Sequence, residues 1–130
     1  MLPLVENVKD FHRQFGHEIG AGMSHDLIRF RSLLVHEEWQ ELNHAMDTRI
    51  SEDMAGEAAD LVYVVVGLCI AVGIDFERAW NEVHRANMEK IPLRDDTGRL
   101  RPRKKPTKPE GWRPPDLTLA VSGVKHGGLW

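Results

Sequence analysis

Apolar residues recur every three or four positions along most of the first 90 residues, a spacing that predicts amphipathic helices. The first helix is predicted over residues 4–15, with Gly16 as its stop. A second is predicted over residues 25–47, with Ser24 as its N-cap. The apolar stripes contain Leu4, Val8, Phe11 and Phe15 in the first helix, and Leu27, Phe30, Leu34 and Ala45 in the second.

Two further helices follow. The third is predicted over residues 51–72, with Ser51 as its N-cap. The Val-rich stretch 62–66 also favours a strand, but the apolar character continues to residue 72, which is too long for a typical strand. The fourth helix is predicted between Asp75, its N-cap, and Pro92, which ends it. Its apolar face contains Phe76, Ala79, Trp80 and Val83.

The composition changes after residue 93. Residues 1–93 contain 8 Lys and Arg against 16 Asp and Glu, whereas residues 94–113 contain 8 against 3. Five of the seven prolines lie between Pro102 and Pro115, which predicts an extended, irregular segment. The sequence therefore predicts an all-α fold with an antiparallel four-helix bundle-like core in a helical domain, followed by a basic, Pro-rich C-terminal tail over residues 94–130.

Acidic residues continue the apolar stripes of the second and third helices. Glu38 and Glu41 follow the stripe of the second helix, so they are expected to face the interior. Glu57 and Asp60 do the same on the third helix, and Glu37 lies four positions before Glu41. Because a tight hairpin would pair the two helices antiparallel, the two acidic sets are expected to meet.

Carboxylates that face each other in a bundle must be protonated, paired with Lys or Arg, or bound to a cation, since an uncompensated buried charge is costly. The two helices offer few basic residues near the acids. Hard oxygen ligands on facing helices suit Mg²⁺, with Mn²⁺ as a substitute. Mg²⁺ also binds substrate phosphates and lowers the pKa of a bound water, so the helical domain, residues 1–93, is predicted to be catalytic.

The order Glu-Glu-x-x-Glu, a helical gap, then Glu-x-x-Asp resembles the MazG-like all-α nucleoside triphosphate pyrophosphohydrolases. Residues 82–90 are similar to a later helix of that family. Residues 108–116 and the triplet starting at Phe11 resemble a subgroup that includes bacterial and phage MazG-like dUTP pyrophosphatases. The residues that match the acid pattern are Glu37, Glu38, Glu41, Glu57 and Asp60.

The resemblance implies hydrolysis of a nucleoside triphosphate to the monophosphate and pyrophosphate, a house-cleaning reaction with dUTP as the first candidate substrate. It implies that the five acids bind Mg²⁺ and that Glu37 and Glu38 are catalytic. It also implies that Asn87 and Lys90 bind substrate. His84 lies three positions before Asn87, and Arg113 belongs to the basic tail, which makes both further candidates for substrate binding.

The third helix is apolar almost all round and must be buried on every side, which predicts a homodimer or homotetramer. No run of 18 apolar residues and no signal peptide are recognised, and Cys69 is the single cysteine, so a cytoplasmic protein without a membrane segment is expected. Nucleic-acid binding is not expected, since no recognition fold accompanies the basic tail.

Two other classes of protein fit parts of the sequence. A di-iron carboxylate bundle would use Glu41 and His44 as a Glu-x-x-His motif, but this class needs a second such motif, which the sequence lacks. A non-enzymatic helical interaction module would carry the acids as surface charge.

Overall fold

The computed structural model describes residues 3–125, which form four helices and no strand. Beyond the last helix the chain is irregular and contains two isolated antiparallel bridges. The predicted all-α, bundle-like fold is confirmed. Residues 126–130 of the predicted tail lie outside the described residues. The helices are α1 (Pro3–Phe15), α2 (His25–Thr48), α3 (Ser51–Val72) and α4 (Phe76–Met88).

Helices α2 and α3 form an antiparallel hairpin with the most extensive helix–helix contact of the described chain. Their connection is only Arg49 and Ile50, and Arg49 ends α2 in the left-handed region with φ of 59°. At the far end of the hairpin, Leu27 packs with Ala71 and Val72. The middle of α2 therefore lies opposite the first half of α3, the region that carries the acids.

Local chemistry accounts for three of the helix ends. The Ser24 hydroxyl accepts a hydrogen bond from the backbone N–H of Leu27 at 3.2 Å, as expected of an N-cap. The Asp75 carboxylate caps α4 in the same way, from the N–H of Arg78 at 3.1 Å. Gly73 ends α3 with φ of 100°, a conformation that glycine adopts without strain. These three predicted helix signals are confirmed.

Two predicted ends are wrong. Ser51 is the first residue of α3 and not its N-cap; the cap position is Ile50, which is extended and makes no side-chain cap bond. The two-residue connection leaves Ile50 as the only residue between the turn at Arg49 and the new helix. Helix α4 ends at Met88, so Pro92 follows its end by several residues and does not cause it.

Two polar side chains occupy core positions that the hydrophobic pattern assigned to aromatic residues. On α2, Phe30 is 45% exposed, whereas Arg31 is 2% exposed. On α1, His12 is 1% exposed, while the predicted core residues Phe11 and Phe15 are 37% and 58% exposed. The predicted stripes are therefore wrong by one position at these places.

The cause lies on the third helix. Gly67 is buried in α3, and a Cβ atom built there would lie 3.0 Å from Nη1 of Arg31 and 3.2 Å from Nε2 of His12. The missing side chain of Gly67 thus gives the two long polar side chains the space to enter between the helices.

By length and composition, α3 could cross a membrane. However, a helix of this kind is also typical of the centre of a helical bundle, and α3 packs against α1, α2 and α4. It also carries Glu57 and Asp60, which would be costly in the centre of a bilayer. In a single chain, only 28% of the most apolar 18-residue stretch of α3 is buried. Much of the apolar surface of this helix is therefore exposed to solvent.

Candidate active site

Three carboxylates converge between α2 and α3. Glu38, Glu41 and Glu57 each bring one oxygen to within 4.8 Å of the others. Glu38 and Glu41 lie three positions apart on one face of α2, and the hairpin places Glu57 of α3 opposite them. The structure thus brings together three of the five acids that the sequence singled out.

The inner oxygens of this cluster lack partners. One carboxylate oxygen of Glu38 and one of Glu57 are buried, and neither has a hydrogen-bond partner among the described residues. A buried oxygen without a donor is costly, because desolvation is not repaid by a hydrogen bond. A bound proton or a cation would relieve this cost, and carboxylate oxygens are the ligands that Mg²⁺ prefers.

The electrostatics agree with that geometry. Burial raises the pKa of Glu38, and the negative charges of Glu41, Asp60 and Glu57 raise it further. The pKa of Glu57 is also raised, first by burial and then by its contact with Glu41. In the absence of a cation, Glu38 and Glu57 therefore hold protons more tightly than separate carboxylates would.

The other two acids lie at the edge of the cluster. Asp60 is exposed, yet it lies close enough for its charge to raise the pKa of both Glu38 and Glu57. Glu37 is exposed as well and lines a groove of about 520 Å³ beside the cluster. The rest of that groove is formed by Gln40, Glu41, His44, Ala45, Thr48, Ile50, Asp53 and Glu57.

The four residues predicted to bind substrate do not meet the acids within one chain. None of them lines the groove at the cluster. His84 and Asn87 lie exposed on α4. Lys90 places its ammonium 5.6 Å from the centre of the Trp112 ring, and Arg113 contacts Glu89 at 3.2 Å.

The C-terminal tail packs against α4 and forms hydrogen bonds with it. The indole N–H of Trp112 donates to the carbonyl oxygen of Ala86 at 2.7 Å. Arg85 forms ion pairs with Glu82 and Glu89, and it also donates to the carbonyl oxygen of Pro114 at 3.0 Å. The predicted basic tail thus packs on the fourth helix over residues 112–116.

Sequence reasoning missed a second group of polar side chains at the junction of α1, α2 and α3. The Arg31 guanidinium donates from Nη2 to Nδ1 of His17 at 3.1 Å, while its Nε has no partner among the described residues. His12 contacts the carbonyl oxygen of Glu18 at 2.7 Å through Nδ1. The signal that could have found this group is Gly67, an unusual residue in the middle of an apolar helix.

Comparison with known proteins assigns the chain to a family. A family model described as phosphoribosyl-ATP pyrophosphohydrolase matches residues 8–87, which run from α1 into α4 and include all five acids. The chain belongs to the phosphoribosyl-ATP pyrophosphohydrolase family. A search among curated proteins gave no match.

The phosphoribosyl-ATP pyrophosphohydrolase family is an all-α pyrophosphohydrolase family related to MazG, so the broad resemblance stated from the sequence is confirmed. Membership supports an enzyme that hydrolyses nucleotide-like substrates, in preference to a non-enzymatic interaction module. The finer resemblance to dUTP pyrophosphatases rested partly on residues 108–116, which lie outside the matched segment, and no comparison supports it.

Proposed function

We propose that this enzyme is a Mg²⁺-dependent nucleoside triphosphate pyrophosphohydrolase that forms a nucleoside monophosphate and pyrophosphate. The observation that carries the proposal is the convergence of Glu38, Glu41 and Glu57 with two buried oxygens that lack partners. An all-carboxylate cluster beside an open groove suits Mg²⁺, which binds oxygen ligands and substrate phosphates together. Mn²⁺ should substitute, because it accepts the same ligands.

The residues have distinct roles in this proposal. Glu38, Glu41 and Glu57 would hold the metal, and Asp60 would contribute from the edge of the cluster. When bound, the metal neutralises phosphate charge and lowers the pKa of a water ligand. Glu37 lines the groove and is exposed, so it can orient the attacking water and accept its proton.

Two substrates deserve direct comparison. dUTP is the first candidate because residues 108–116 and the triplet at Phe11 resemble the dUTP pyrophosphatases. Phosphoribosyl-ATP is the second, because the matching family model is described by that activity. The two substrates share a phosphate chain that the acids can serve and differ in base and sugar.

A homodimer or homotetramer fits the positions of the remaining residues. Because none of Asn87, Lys90, His84 and Arg113 lines the groove at the acids of its own chain, we expect α4 of a neighbouring subunit to supply such groups to the phosphates. The exposed apolar surface of α3 supports this arrangement. A cytoplasmic location remains a prediction from the sequence.

The decisive experiment is a hydrolysis panel that measures pyrophosphate release from the canonical dNTPs, dUTP and phosphoribosyl-ATP. We expect activity with Mg²⁺ or Mn²⁺ and none in EDTA.

Glu38→Gln should lose at least about a hundredfold in turnover, since metal stabilisation of a transition state is worth several kcal/mol. Glu52→Gln, an exposed acid in the first turn of α3, is the matched control and should retain activity. Pyrophosphate release from none of the substrates would exclude the proposed reaction.

A further inference from the structure

A small aromatic cavity lies one helical turn from the acid cluster, at the junction of α1, α2 and α3. Its volume is about 200 Å³. Cavities of about 150 Å³ with apolar walls hold benzene, so one planar six-membered ring fits this space. The cavity is lined by Phe11, His12, His17, Arg31, Leu34, Tyr63 and Val64.

The cavity and the acids share the α2–α3 seam. Leu34 precedes Glu38 by four residues on α2, and Val64 follows Asp60 by four on α3, a distance of about 6 Å along each helix axis. A nucleotide with its phosphates at the acids can therefore reach the cavity with its base. The groove on the other side of the cluster is lined by further acids, which suits a metal and not an aromatic ring.

Arg31 and His17 give the cavity hydrogen-bond donors, whereas His12 donates from Nδ1 to the carbonyl oxygen of Glu18 and keeps Nε2 as an acceptor. A guanidinium has donors only, so Nδ1 of His17 accepts from Arg31 and the other ring nitrogen of His17 carries a hydrogen. Arg31 is almost fully buried, its Nε lacks an acceptor among the described residues, and no carboxylate lines the cavity. Within the chain, the negative charge of Glu18 and the ring of Phe30 compensate this buried cation only in part, because Nε still lacks an acceptor.

We propose that this cavity binds the nucleobase of the substrate, and that Arg31, held by His17, makes the enzyme prefer bases that present carbonyl oxygens. This inference rests on the proposed function, because it assumes a nucleotide substrate at the acids. A carbonyl oxygen supplies the acceptor that the guanidinium lacks. An amino group in the same place would point its N–H hydrogens at the N–H donors of the guanidinium, which is unfavourable. Uracil is therefore favoured over cytosine and over adenine.

The test measures binding without hydrolysis. Thermal-shift titrations of the full-length protein with Mg²⁺ compare dUMP, dCMP and dAMP, which carry no pyrophosphate to release. We expect dUMP to bind about tenfold more tightly than dCMP, the size of effect that an unmet buried donor produces. Arg31→Met should remove this preference, while the melting temperature of the unliganded protein stays the same or rises, because a buried charge with only partial compensation is replaced by an apolar chain.

Two further variants, one a control and one a second test, check this interpretation. Arg29→Met changes an exposed arginine on the same helix and should leave the preference intact. His17→Ala, in the loop after α1, should weaken the preference even if Arg31→Met does not fold. Equal binding of the three monophosphates by the wild-type protein would overturn the inference, as would an unchanged preference in both Arg31→Met and His17→Ala. If the enzyme releases pyrophosphate from all dNTPs equally, the proposed function stands and only the inference of a base site is wrong.

Discussion

Glu38 and Glu57 are placed where their charged forms are unfavourable, and this has a consequence for stability. The raised pKa of Glu38 means that the folded protein binds its proton more tightly than the unfolded chain does, for which the ordinary value is 4.5. Its contribution to stability is therefore full below pH 4.5 and is lost as the pH rises through the raised pKa. A cation in the cluster would replace the proton and reverse the loss.

This predicts a specific difference between two melting curves. In EDTA, wild-type protein should lose more stability than Glu38→Gln as the pH rises above 4.5, because glutamine has no proton to release. Mg²⁺ should raise the melting temperature of the wild type at neutral pH and have a smaller effect on the variant. Melting temperatures measured across the pH range test both effects, with Glu52→Gln as the control. Parallel curves for the wild type and Glu38→Gln would contradict a raised pKa of Glu38 in the folded protein.

Among the helices, the ends that the sequence predicts correctly are those with local chemistry. Ser24 and Asp75 are side chains that cap the residues directly after them, and Gly73 adopts a conformation that few other residues tolerate. The start of α3 has no such signal. Ile50 makes no side-chain cap bond, so the position of that helix start depends on the short hairpin connection and not on a residue that the sequence marks.

The sequence predicts less well which side chains are buried between the helices, because this depends on residues of a neighbouring helix. Phe30 and Arg31 both fit a spacing of three or four from Leu27 and Leu34, and hydrophobicity alone selects Phe30. The structure buries Arg31 because Gly67, on another helix, leaves space for it. Periodicity within one helix contains no information about a gap in its neighbour.

Gly67→Ala tests how closely α3 is approached by its neighbours. The new methyl group would crowd Arg31 and His12, both buried and each held by a hydrogen bond, so neither can withdraw freely. We expect a loss of about 1–3 kcal/mol in the free energy of unfolding, as overpacked cores show. Urea denaturation measures it.

Gly56→Ala is the matched control in the same helix. A Cβ at Gly56 would meet nothing within 4 Å, so this change should stabilise the protein by about 0.5–1 kcal/mol through the helix preference of alanine. Equal effects of the two substitutions would mean that the space above Gly67 is not needed.

For the whole molecule, the sequence located the acids but not the groups on α4 and the tail. The acids follow from two helical stripes and a tight hairpin, which are all local or nearly local features. The positions of Lys90 and Arg113 depend on the docking of Trp112 on Ala86, 26 residues away, which no spacing rule foresees. In the proposed homo-oligomer, their relation to the acids also depends on a neighbouring subunit.

The exposed apolar surface predicts that the chain does not function alone. Val62 of α3 is 47% exposed, and Trp80 of α4 is 51% exposed, on faces that the hydrophobic pattern predicts to be covered. We expect a homodimer or homotetramer in solution, measured by sedimentation velocity at micromolar concentration. Val62→Lys and Trp80→Lys should each shift the protein toward monomer, because a lysine at the centre of an apolar interface must lose its hydration.

The same variants connect assembly to catalysis. If α4 of a neighbour supplies cationic groups to the acids, monomeric Trp80→Lys should lose pyrophosphate release, although Trp80 lies outside the acid cluster and its groove. Leu100→Lys, an exposed apolar residue of the tail, should change neither assembly nor rate. A wild-type monomer with full activity would show that one chain completes the site by itself, and α4 would then have to move toward the acids of its own chain.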